Sequence, residues 1–87
     1  MLQFEHTLLP WEWRDGEIKL SPSLIPDNII DKRLKANVGT QEHFERKITK
    51  AGRIYFGRTA LRDYTVGDIL IIEINEDVIK IWKKSDF

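Results

Sequence analysis

The chain has no cysteine in its 87 residues. That excludes a disulfide framework and every thiolate metal site. It has no net charge either, because fourteen Lys and Arg balance fourteen Asp and Glu. No apolar run approaches the ~18 residues that span a bilayer, and the first residues lack a basic-then-apolar leader. The expectation is a cytoplasmic protein with no membrane partner. Catalytic patterns are missing as well. There is no nucleophile elbow, no phosphate-cradling glycine loop before a helix and no Cys–His constellation. The two histidines, His6 and His43, each follow a glutamate, but their spacing fixes no coordination geometry. The paired carboxylates Glu76 and Asp77 fall in a hairpin loop, where they serve the turn. No enzyme, no cofactor and no metal site are expected.

What is present is enough to fold. Hydrophobic residues make up 41% of the chain, with three Trp and four Phe, which sets it apart from disordered sequences. A chain this short buries only about 60–65% of its unfolded surface, so a partner subunit is expected to complete the core. The zero net charge also hides a division. Residues 1–45 hold five basic and eight acidic side chains, a net of −3, and residues 46–87 hold nine and six, a net of +3. The seventeen residues Arg46 to Arg62 contain Arg46, Lys47, Lys50, Arg53, Arg58 and Arg62 and no acid. Interleaved with Tyr55 and Phe56, these charges form a local footprint for a polyanion on a neutral chain. The plainer reading is a solvated basic surface with counter-charges nearby in space.

In the N-terminal third, Trp11–Arg14, Asp15-Gly16 and Glu17–Leu20 carry the signal of a two-residue hairpin, since Asp-Gly tolerates a type I′ turn. Folded so, Trp13 faces Ile18, Trp11 faces Leu20, and Glu12 faces Lys19. The Trp11/Trp13 face then serves as core or as a ligand platform. A short helix is expected over 27–36, capped by Asp27 or Asn28, with Ile30 and Leu34 at i, i+4.

From Phe44 the period changes to two. Strands are expected at 44–49 and 53–56, with Lys50-Ala51-Gly52 between them, and one or two helical turns over 58–64. Ile69–Ile74 and Val78–Trp82 read as a hairpin in which Ile74 faces Ile79, Ile72 faces Ile81, and Glu73 faces Lys80. The segment 16–24 (GEIKLSPSL) faintly echoes 52–61 (GRIYFGRTAL) through Gly-x-Ile followed by a turn, a pattern common in β proteins.

The second half resembles the swapped-hairpin domain of AbrB and SpoVT transcription regulators and MazE-type antitoxins. The matching marks, in order, are Arg46-Lys47, Gly52-Arg53-Ile54, Leu61-Arg62, Gly67-Asp68 and the closing strand Val78–Lys84. The similarity covers about forty residues, with Gly57 where the family usually has proline and Asp63 where it usually has a second basic residue. The resemblance implies a mostly β fold: a swapped-hairpin β-barrel of order ββ-short helix-ββ over residues 44–87. Residues 1–43 would be an extension made of the N-terminal hairpin and short helix. It further implies an intertwined homodimer that binds double-stranded DNA through Arg46, Arg53 and Arg62, with Lys47, Lys50 and Arg58 as helpers. Two-fold symmetry would double the six charges, which answers the objection from zero net charge. The expected function is that of a small DNA-binding transcriptional regulator. The alternative is an antitoxin-like or phage-type protein-interaction module that engages a partner protein through Trp11, Trp13 and the acidic N-terminal half.

Overall fold

Strict alternation of half-buried and exposed side chains makes a strand of the first described residues, β1 (Leu2–Thr7); the computed structural model describes residues 2–86. The expected hairpin over 11–20 is not formed. Pro10–Asp15 is instead a short helix, α1, and Gly16 ends it as a left-handed cap at φ 70°, its N–H donating to the Glu12 carbonyl at 2.8 Å. Asp-Gly serves a type I′ turn and a helix end equally well. Pro10 at the first helical position and Glu12 at the third decide for the helix. The second half of the supposed hairpin, β2 (Glu17–Lys19), pairs antiparallel with a distant strand, β5 (Arg53–Tyr55).

The helix expected over 27–36 is also absent. Residues 27–29 make a single 3-10 turn, and Leu34–Val38 is a strand, β3. Leu34, Ala36 and Val38 are all buried while Lys35 and Asn37 between them are half-buried. The period of two therefore wins over the lone Ile30–Leu34 spacing of four. Pairing to two neighbours overrides the weak helical preference of the segment.

The main sheet has the order β1-β6-β7-β3-β4, where β4 is Gln41–Arg46, β6 is Ile69–Asn75 and β7 is Val78–Lys83. It is mixed, since β3 runs parallel to β7 and the other pairs are antiparallel. The β6–β7 register is the expected one, with Ile74 opposite Ile79, Ile72 opposite Ile81 and Glu73 opposite Lys80. Matching apolar and charged partners on opposite faces leaves no other register that buries the isoleucines. The hairpin expected between 44–49 and 53–56 is reduced to one bridge, Ile48 to Ile54: β4 ends at Arg46 and pairs with β3, β5 pairs with β2, and the turn between them is closed by Thr49 and Gly52. Arg58–Tyr64 forms consecutive tight turns, its N–H groups reaching back three residues.

Ile48 adds one further link. Two residues beyond β4, it makes an isolated bridge to Ile54 of β5, which links the main sheet to a separate two-stranded sheet of β2 and β5. Ile18, Ile48, Ile54, Phe56, Leu61 and Ile72 are all fully buried in one cluster that draws on both halves of the chain. Residue 43, the expected end of the N-terminal extension, lies inside β4, and β1, β2 and β3 each pair with a strand of the second half. The fold is mostly β. Among the described residues no helix is long and apolar enough to cross a membrane.

The two Gly-x-Ile segments that echo each other pair with each other. Ile18 lies opposite Ile54, the Gly16 carbonyl accepts from Phe56 N–H at 2.9 Å, and the Gly52 carbonyl accepts from Leu20 N–H at 2.8 Å. A Cβ on Gly16 would fall 1.5 Å from the Gly57 carbonyl oxygen, so the chains touch backbone to backbone. Gly57 itself sits at φ 133°, which proline, fixed near −65°, cannot adopt.

Candidate nucleic-acid interface

The centre of the site is a buried carboxylate. Glu12, on the inward side of α1, is fully buried, and both its oxygens lie 2.8 Å from His6 Nε2 on β1. One oxygen also accepts from Leu9 N–H at 2.9 Å, capping the helix, and the other accepts from Lys19 N–H of β2 at 2.9 Å. Burial raises the pKa of this carboxyl, but the hydrogen bonds from His6, Lys19 and Leu9 outweigh it and hold the group below its ordinary value. Glu12 therefore ties β1, an edge of the five-stranded sheet, to β2 of the two-stranded sheet, and fixes α1 between them.

With Glu12 pointing inward, successive side chains ~100° apart place Trp11 and Trp13 on opposite flanks of the helix. Each carries an arginine. The Arg53 guanidinium lies 5.5 Å from the Trp11 ring centre, and that of Arg62 lies 4.4 Å from Trp13. Both tryptophans are half-buried, and Trp13 packs against the core and donates its indole N–H to the Tyr64 carbonyl at 2.9 Å. Arg62 also donates to the Arg14 carbonyl at 3.0 Å. Such stacking leaves in-plane N–H donors for a phosphate or a base, with one Arg62 nitrogen already engaged by the Arg14 carbonyl.

The other expected contact residues separate by role. Arg46 is half-buried and donates to the Phe56 carbonyl at 3.3 Å, so it braces the end of β5. Lys47, Lys50 and Arg58 are exposed, and among the described residues they form no salt bridge. Arg58 lies close enough to Asp15 to help Arg14 hold that carboxyl below its ordinary pKa. Of the interleaved aromatics, Tyr55 is exposed while Phe56 belongs to the core. A groove of about 260 Å³ gathers Arg46, Lys47, Thr49, Arg53 and Tyr55 with the two acids Glu17 and Glu45 on the β5 side of α1. Arg58 and Arg62 lie on the Trp13 side. The helix divides the basic stretch into two groups.

The histidines have separate fates. His6 is the partner of Glu12. His43 is half-buried on β4, its pKa pushed down by burial and by the neighbouring Arg46 charge. Among the described residues no three His, Asp or Glu gather where a metal ion would need them. Sequence reasoning missed Glu12 and Glu17. The signal for Glu12 was present as Pro10 at the first helical position with an acid two residues later; Glu17 had none apart from its place in Gly-x-Ile.

No family model, curated protein or solved structure matches the chain.

Proposed function

We propose that the protein is a small DNA-binding regulator that engages duplex DNA through the basic residues on either side of α1. The observation that carries this is the pair of stacked arginines, Arg53 on Trp11 and Arg62 on Trp13. Pre-set guanidinium forks lose little entropy on meeting a phosphate or a guanine edge. The exposed Lys47, Lys50 and Arg58 supply the sequence-independent attraction. Trp11 and Trp13, roofed by charge, lack the bare apolar surface that a protein partner would bury, which favours DNA over the protein-module reading. The hairpin-exchanged homodimer implied by the resemblance is part of the proposal. In it, β6–β7 would keep its pairings to β1 and β3 but make them with the partner's strands.

Lys47, Lys50 and Arg58 allow a clean test because among the described residues no salt bridge depends on them. Replacing all three by Ala should leave the thermal melt within about 0.5 kcal/mol of wild type, as for surface changes generally. Affinity for a generic duplex should fall at least about tenfold, and the salt slope should shrink by up to about three. Undiminished binding by a folded triple variant would refute the interface. Light scattering on the same samples reports the mass of a dimer or of a single chain.

A further inference from the structure

The β2–β5 ribbon carries a donor fork and a carboxylate side by side. Ile18 and Ile54 point into the core at 0% exposure. By alternation, Glu17, Lys19, Arg53 and Tyr55 face outward. Pairing of the two Gly-x-Ile segments makes Glu17 and Arg53 equivalent positions about the Ile18–Ile54 pair, as diagonal neighbours on one face. Arg53 Nη1 lies 3.7 Å from Glu17 Oε1. That is an attraction beyond hydrogen-bond reach, so it orients both groups without consuming the N–H fork or the lone pairs. Trp11 holds the guanidinium from a third side. Among the described residues, neither side chain has a hydrogen bond that would occupy it.

This arrangement has one counterpart in duplex DNA. In the major groove a G·C pair shows two adjacent acceptors, guanine O6 and N7, beside the cytosine amino donor. Arginine forks onto the first and a carboxylate accepts from the second. An A·T pair offers no adjacent pair of acceptors. A two-stranded ribbon is among the few elements that fit the major groove, and Lys19, Lys47 and Lys50 around it suit the flanking phosphates. Building on the duplex-binding proposal, we infer that β2–β5 enters the major groove and that Arg53 and Glu17 together read a G·C base pair. A bare arginine would bind any phosphate. The adjoining Glu17 repels phosphate and so confers selectivity along with recognition.

Three synthetic duplexes of about twenty base pairs test this: alternating G·C, alternating I·C and alternating A·T. Inosine keeps the O6 and N7 of guanine but lacks its 2-amino group. An I·C duplex is therefore G·C-like in the major groove and A·T-like in the minor groove. The full chain should bind G·C and I·C equally and A·T about tenfold or more weakly, the usual worth of a bidentate pair. Arg53→Ala should bind all three more weakly and alike, and Glu17→Gln should narrow the preference by raising affinity for A·T. Wild-type binding that ranks I·C with A·T, or that treats all three alike, overturns the reader while leaving duplex binding intact. Binding to none of the three overturns the duplex-binding proposal, and the reader with it.

Discussion

Glu12→Ala should destabilise the protein by about 3–5 kcal/mol, since each buried donor left without its acceptor costs about 1–3 kcal/mol. For a chain this short, that removes a large fraction of the expected stability. The loss has identifiable parts. His6 is left without its acceptor, and the N–H groups of Leu9 and Lys19 are left facing a cavity. Because these three groups belong to β1, the start of α1 and β2, the substitution opens the seam between the two sheets. A melt lowered by more than about 15 °C is expected; a shift under about 3 °C would show that Glu12 is not the fastener. Acid should do the same work reversibly. The folded pKa of Glu12 is depressed, so its contribution is complete above the ordinary value of 4.5. It is lost as pH falls through the lower folded value. The wild-type melt should therefore drop below about pH 4.5, and the Glu12→Gln melt should drop less.

The double replacement Arg53→Ala and Arg62→Ala should weaken duplex binding about a hundredfold, taking roughly 1–3 kcal/mol for each arginine. These residues also serve the fold. Each stacks on a tryptophan, and Arg62 donates to the Arg14 carbonyl. Exposed cation–π pairs contribute about 0.5–1 kcal/mol each, so the melt should move by several degrees without a loss of folding. The Lys47, Lys50 and Arg58 triple variant should lose affinity with no comparable shift. The contrast between the two variants separates loss of contact from loss of structure. Replacing both arginines by Lys is informative too. Charge and salt slope should persist, while affinity falls because an ammonium neither stacks nor forks.

The closing hairpin of the second half was legible in the sequence because its signals are redundant, while the expected pairing of 44–49 with 53–56 largely gave way to pairing with β3 and β2. In β6–β7, β-branched isoleucines, a turn at 75–77 and matched Glu73–Lys80 charges all demand one register, and the structure has it. The first half misled where one signal serves two structures. Asp15-Gly16 ends a helix as readily as it turns a hairpin, and Pro10 with Glu12 was the deciding evidence. Residues 34–38 carry little local preference; they are a strand because β4 and β7 lie on either side. The basic stretch was legible as a list of charges. Its division by α1 was not, because the Trp11–Arg53 and Trp13–Arg62 stacks join residues more than forty positions apart. Gly57 sits at a positive φ that glycine adopts most readily.

The central claim is that a chain of zero net charge presents a basic surface to duplex DNA, and a salt titration of its affinity for a generic duplex tests it most directly. With about four to six phosphates neutralised per bound chain, log affinity should fall linearly against log salt with a slope of roughly −4 to −5. Absence of binding at about 50 mM salt, or an affinity that does not change with salt, would contradict it.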